Sequence, residues 1–287
     1  MPEIDISSPK YQIVPTGAYS TKYVLDRQDA RVGQITLSKE AVRVYDKVWA
    51  IEAAHSAGIS TPLTWKNIED IRSYPLFYKQ SYEQGGGIRG IARSETELPR
   101  KKDGIIFQEL IQSKGTYGVA FLADRGKIIS YHMHYKSESY PKQGGSAVVI
   151  ENFSSKELLD YSVRLIEGID YSGWGLIEYK YCPRRNTFVF MEINAKFWAS
   201  CEFTFRNNPS FLKLLFDIKS REIPVERMLF LERAIARGFP FLMALPGFLI
   251  QGSTVHVYPG WLFRLALRLT PASLRSLAKH VLQGQHS

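Results

Sequence analysis

The stretch FVFMEINAKFWAS, residues 188–200, ends an apolar run on Glu192 and Asn194, two residues apart, with Lys196 following. A strand that only fills a core has no use for a carboxylate and an amide on one face. Upstream, WGLIEYKYC (174–182) and the turn PRRN make this the second arm of a hairpin. If the turn centres on Arg185, Cys182 faces Phe188, Lys180 faces Phe190 and Glu178 faces Glu192. Alternation then puts Glu178, Glu192 and Asn194 on one sheet face. Directly opposed carboxylates repel unless a positive charge lies between them. A hard cation such as Mg²⁺, which takes one or two carboxylates and completes its shell with phosphate and water, satisfies that need. The alternative is a solvent-facing strand whose acids pair with Lys180, Lys196 or Arg184.

Working outward, the chain has 287 residues, enough for a sizeable core. Tyr11–Val14 is a short strand candidate. LSKEAVRVYDKVWAIEAAHSAG (37–58) has Val44, Val48, Ile51 and Ala54 at helical spacing and ends at Gly58. YPLFYKQSY reads as a strand, QGGGIRG as a loop, and SETEL as a helix start with Ser94 and Glu97 in capping-box spacing. IIFQELI is a strand running into a loop. TYGVAFLA and KIISYHMHY form a hairpin around ADRGK, and SSKELLDYSVRLIEGI is an amphipathic helix with a serine cap. Antiparallel hairpins mixed with helices make the chain α+β rather than a regular βαβ alternation.

A cation held by so few protein groups implies a phosphate ligand. Lys79 sits inside an apolar strand, either snorkelling at an edge or held for a task. Gly85, Gly86, Gly87 and Gly90 follow and let backbone N–H groups approach an anion. The order, lysine before glycines, is not that of a P-loop.

Together these segments, in order over roughly residues 40–205, resemble the ATP-grasp superfamily of carboxylate–amine ligases. DKVWAIEAAHSAGISTP is similar to the helix leading to the nucleotide site, YPLFYKQSYEQGGGIRGI to the strand lysine and glycine-rich lid, and IIFQELIQ to the adenine hinge. HYKSESYPKQGGSAVVIEN is similar to a basic, then Gly-Gly-Ser, segment of one poorly characterised branch. GWGLIEYKY with FVFMEINAKFWAS is similar to the metal-binding end. The resemblance implies two α+β subdomains clasping ATP. It gives Lys79 and Gly85, Gly86 and Gly87 to the phosphates, and Gln108, Glu109, Leu110 and Ile111 to the adenine. Glu178, Glu192 and Asn194 would hold Mg²⁺, for which Mn²⁺ could substitute. Lys196, where relatives often carry arginine, and Lys136 would be the catalytic cations. The implied reaction converts a small-molecule carboxylate to an acyl phosphate that an amine or thiol displaces; the alternative is an ATP-binding module without full catalysis.

The resemblance also sets boundaries: a remnant of an N-terminal subdomain over 1–36, a lid subdomain over 37–112 and a metal-binding subdomain over 113–221; composition marks off an apolar, basic, helical tail over 222–287. Relatives carry a longer N-terminal subdomain, so a protein partner supplying it is an expectation. Lys114 and Thr116 stand where many relatives place an acidic residue for the ribose.

The net charge of +9 favours acidic partners. No helix-turn-helix or RNA-recognition pattern accompanies it, so nucleic acid is not expected. The tail has no acidic residue from Phe239 to Ser287 but carries Arg264, Arg268, Arg275 and Lys279 beside an apolar stripe. It reads either as interfacial helices on an anionic membrane or as helices docked on the core. Two cysteines, Cys182 and Cys201, form no metal-knuckle or disulfide pattern, and the polar N-terminus has no leader pattern. A reducing, cytoplasmic setting is expected, peripheral to the inner membrane face if the tail binds lipid. His132 and His134 alternate on a strand and lack a third ligand at fixed spacing; they read as substrate-side or surface residues rather than metal ligands.

Overall fold

The computed structural model describes residues 13–82, 87–100, 103–140, 145–237, 243, 245–250 and 252–257. Two sheets face a common cleft. The larger has seven strands in the order β11-β10-β7-β8-β9-β12-β13. They are β7 (Thr116–Asp124), β8 (Lys127–Tyr140), β9 (Ser146–Asn152), β10 (Gly173–Cys182), β11 (Thr187–Asn194), β12 (Arg227–Phe230) and β13 (Thr254–His256). The smaller has four, in the order β3 (Thr64–Trp65), β6 (Ile105–Glu109), β4 (Leu76–Gln80), β5 (Arg89–Ala92). The expected α+β class holds. Because Arg227–Phe230 and Thr254–His256 join the large sheet, residues 222–257 are not the purely helical tail that their composition suggested.

Both long hairpins form, the second with a shifted register near its turn. In the first, Arg125 and Gly126 take φ of 45° and 72° between the paired Asp124 and Lys127, as a two-residue turn matched to strand twist requires. In the second, Glu178 does pair with Glu192, but Lys180 pairs with Val189 and Cys182 with Thr187, one step from the expected register. The turn closes one residue earlier than its sequence centre suggested, and Met191 is an extra, bulged residue that restores the phase. Its consequence is large. Phe188, Phe190 and Ile193 all enter the main core, so the bulge is what sends Glu192 and Asn194 to the opposite face.

The back of the large sheet is covered by α2 (Lys47–Ser56) and by α3 (Lys156–Gly168), where Ser155 caps the Leu158 N–H. The single long helix expected over 37–58 is instead a 3₁₀ segment, Lys39–Tyr45, followed by α2. Asp46 makes the break: its carboxylate accepts from the N–H groups of Val48 (2.9 Å) and Trp49 (3.2 Å) and so starts α2 at Lys47. SETEL gives only a 3₁₀ turn, Glu95–Glu97, since the Ser94 side chain turns to Thr96 rather than capping. Ile13 and Val14 lie outside any strand; Tyr11 and Gln12 lie outside the described residues.

Ahead of these, α1 (Ala18–Leu25) precedes the hairpin of β1 (Ala30–Val32) and β2 (Ile35–Leu37), whose turn begins at Gly33 with φ of 58°. A methyl group there would overlap the Leu215 carbonyl oxygen in α5 (Ser210–Phe216). Gly33→Ala therefore combines backbone strain with a collision against fixed main chain, and is expected to lower stability by about 2–4 kcal/mol in urea unfolding. An unchanged midpoint would show that this hairpin is not docked on α5.

Candidate active site

The cleft between the sheets holds a cavity of ≈ 660 Å³. One wall is built from α2 and β4. Lys47 is the first residue of α2, its N–H tied to the Ser81 carbonyl (2.8 Å), so it stands beside the Lys79 strand. A cation there opposes the helix dipole, yet Lys47 is only 7% exposed. Its ammonium donates to Glu192 Oε2 at 3.0 Å. Lys79, also 7% exposed, donates to the Met191 carbonyl at 3.2 Å; that carbonyl belongs to the bulged residue.

The floor is the large sheet. Glu192, Glu178, Gly118, His134 and Asn152 form one row across five strands through their pairings. Glu178 accepts from Lys136 at 2.8 Å, and the Asn194 amide donates to Glu192 Oε1 at 3.1 Å. Burial opposes ionisation of Glu192, but Lys47, Lys79 and hydrogen bonds from its neighbours outweigh it and hold the carboxyl well below its ordinary range. His134 lies over Gly118, where a Cβ would collide with its ring. At 3% exposure, with Nδ1 unpartnered among the described residues, its pKa is pushed down to about 3, by burial first and then by His132 and Lys136. The imidazole is therefore neutral.

The far end is the end of β6 and the segment that follows it. Gln108, Glu109, Leu110 and Ile111 line the cavity. The Arg185 guanidinium, in the β10–β11 turn, pairs with Glu109 and donates to the Thr61 carbonyl at 3.0 Å, clamping that turn to the end of β6. Gln108 is fully buried; its amide donates to Thr64 Oγ1 at 3.0 Å, while its Oε1 has no partner among the described residues. An unpaired buried acceptor is a costly feature unless a ligand donates to it.

The cavity thus gathers Lys79, Gly87, Gln108, Glu109, Leu110, Ile111, Lys136, Glu178, Glu192, Asn194 and Lys196, all singled out in the sequence. Gly85 and Gly86 lie outside the described residues. Glu178 pairs with Lys136 and Glu192 with Lys47. Sequence reading missed Lys47, whose signal was a lysine at a helix N-terminus; Lys180, named there only as a partner for the acids, also lines the cavity, and its ammonium pKa is lowered by burial and by Lys136 against the pull of Glu178. Counting Lys47, Lys79, Arg89, Lys136, Lys180 and Lys196 against three glutamates, the lining carries a surplus of three positive charges. Such a lining suits a polyanion. Among the described residues no three His, Cys, Asp or Glu side chains cluster as a metal cage. Two carboxylates and an amide fit a hard cation that draws the rest of its shell from phosphate and water.

No family model matches the sequence. No curated protein matches it either. Solved structures do. Biotin carboxylase from Campylobacter jejuni, in a beta-gamma-ATP complex, is 18% identical with a TM-score of 0.53, over 65% of this chain and 50% of that one. N5-carboxyaminoimidazole synthase from Aspergillus clavatus, with ADP and 5-aminoimidazole ribonucleotide, is 14% identical with a TM-score of 0.53, over 72% and 59%. A putative ATP-grasp superfamily protein from Archaeoglobus fulgidus is 19% identical with a TM-score of 0.51, over 73% and 62%. In each case the chain spans less than two thirds of the other protein's length, and the likeness is one of fold.

Proposed function

We propose, on the premise that this chain has the ATP-grasp fold of the structures it matches, that it is an ATP- and magnesium-dependent ligase joining a carboxylate to an amine or thiol. The observation that carries the reading is the opposed pair Glu178 and Glu192, each neutralised by a lysine of a different element, Lys136 and Lys47. A bound triphosphate would exchange these ion pairs: the lysines turn to phosphate oxygens, and the freed carboxylates, with Asn194, hold Mg²⁺. When bound, the metal would neutralise charge on the β- and γ-phosphates and orient them.

In this reading Lys79 and Lys47 bind phosphate from the lid side. Gln108 to Ile111 take the base, the Gln108 Oε1 supplying an acceptor for an exocyclic amine. A substrate carboxylate oxygen attacks the γ-phosphorus and ADP leaves, with Lys196 and Lys136 countering charge on the transferring group. The amine or thiol then adds to the acyl carbon, phosphate departs and the nucleophile's proton is lost. The neutral His134 beside Lys136 can accept or donate a hydrogen bond to the substrate without adding charge.

The test is ADP release with a panel of carboxylates in the presence of hydroxylamine, which captures an acyl phosphate as a hydroxamate. ADP and hydroxamate formation in equal amounts, both requiring Mg²⁺, is the expected result. MgATP binding with no ADP release from any carboxylate would point instead to a nucleotide-binding module without ligase chemistry.

A further inference from the structure

One corner of the cleft floor has no part in holding the nucleotide. His134 is 3% exposed and Ser200 6%, and both line the cavity. Neither side chain has a hydrogen-bond partner among the described residues. Buried polar side chains are normally paired, so two unpaired ones in one corner of a cavity mark a place where a ligand completes the pairing. The helix α4 (Cys201–Asn207) brings them together. Ser200 immediately precedes it, the Ser200 carbonyl accepts from the Phe203 N–H at 3.0 Å, and the Phe203 ring stands edge-on to the His134 imidazole with centroids 6.5 Å apart. Trp198 Nε1 donates to Thr204 Oγ1 at 3.2 Å across the turn into α4, and the Tyr45 hydroxyl donates to the Ala195 carbonyl at 2.9 Å, so the segment carrying Ser200 is fixed at both ends. The Cε1 and Nε2 atoms of His134 lie over Gly118, where a Cβ would come within 2.5 Å of each. Gly118 pairs with both His134 and Glu178, so only β7 separates the imidazole from the Glu178 strand.

Charge decides what this corner can take. Among the described lining residues the acids are Glu109, Glu178 and Glu192. Glu109 is held by Arg185 at the far end, and the other two are the proposed metal ligands. Lys136 and Lys196 line the same cavity, and burial keeps the imidazole uncharged. No carboxylate among the described lining residues is left to balance an ammonium ion, and a buried cation without a counter-charge is disfavoured against its neutral form. A neutral N–H, O–H or S–H group carries no such penalty and can pair with an imidazole nitrogen and a hydroxyl. An uncharged amine also keeps the lone pair that attack on an acyl carbon needs.

Resting on the ligase reading above, we propose that His134 and Ser200 form the subsite of the second substrate, and that this nucleophile arrives uncharged: a thiol or a weakly basic amine rather than an alkylammonium or amino-acid ammonium group. The test reads the imidazole itself. The full chain, with isotope-labelled histidines and MgADP bound, is titrated near pH 7 with hydroxylamine, a nucleophile uncharged at that pH, and separately with methylammonium chloride at the same ionic strength. The His134 ring signal is assigned by its loss in His134→Gln. Hydroxylamine is expected to shift that signal saturably and methylammonium to leave it in place. Ser200→Ala should weaken the hydroxylamine response by about threefold to tenfold, as loss of one hydrogen bond does. Ser200→Asp, which supplies the missing carboxylate, should let methylammonium shift the signal. An equal response to both probes, no response to either, or a response that Ser200→Ala leaves unchanged overturns the subsite. MgADP binding, followed in the same samples, separates the two readings. Binding of MgADP with no response at His134 overturns the subsite alone, whereas failure to bind MgADP removes the ligase reading and the subsite with it.

Discussion

Lys47→Met is expected to weaken MgATP binding by about ten- to a hundredfold, as loss of one charged hydrogen bond to phosphate does. It is also expected to lower the stability of the nucleotide-free chain at pH 7 by about 2–3 kcal/mol, because the change strands Glu192 in the cleft. The two effects share one cause, the 3.0 Å pair between the first residue of α2 and the carboxylate at the end of β11. The sign of the pH dependence follows from Glu192. Its folded pKa lies below the ordinary 4.5, so its stabilisation is present above the unfolded value and is lost as pH falls through the folded one. Removing Lys47 takes away a principal cause of that depression. The gap between wild type and variant should therefore be full at pH 7 and close as Glu192 becomes protonated in acid. Urea unfolding at pH 7 and at a pH near 3.5 measures it. A variant as stable and as tight as wild type would mean that the ion pair does not bind the two halves of the cleft.

The second large effect is an acid-side loss of stability centred on His134. Its folded pKa of about 3 lies below the ordinary 6.5, so the unfolded chain binds the extra proton first. Stability is complete above pH 6.5 and falls as pH drops towards 3, by up to about 1.4 kcal/mol per unit over that window. His132, also lowered by burial, adds in the same direction. His134→Gln keeps a polar side chain over Gly118 without the titration. Its stability profile should be flatter between pH 6.5 and 4, and the difference from wild type should shrink on acidification. Parallel profiles would place the acid sensitivity elsewhere. Because the imidazole stays neutral throughout, catalysis near pH 7 should show no step from this group.

Much of this cleft was legible in the chain because its signals are local. A hairpin fixes its own register nearly enough that Glu178 and Glu192 could be paired from spacing alone. What spacing could not supply was Met191: a bulge is a choice made by packing, here of Phe188 and Phe190 on one side and Ile193 on the same side beyond it. The helix over 37–58 was misjudged for a related reason. Apolar periodicity ran through Asp46, whose capping bonds outweighed it. Lys47 was passed over because its partner is far along the chain, and only the folded cleft brings α2 to β11. His134 likewise depends on its neighbour strand, since Gly118 makes the room its ring occupies. In the region after residue 222, composition spoke of basic helices, but β12 and β13 follow from the open edge that β9 offers, which no local pattern records.

The most direct measurement is a calorimetric titration of ATP into the full chain, with Mg²⁺ and with the metal chelated, repeated on Glu192→Gln. Saturable binding by wild type that weakens sharply without Mg²⁺, and a variant in which the metal no longer makes a difference, is the expected result. Binding by the variant that matches wild type in both conditions would contradict the assignment of Glu192 to the metal. No binding by a folded wild-type chain would contradict the nucleotide site itself.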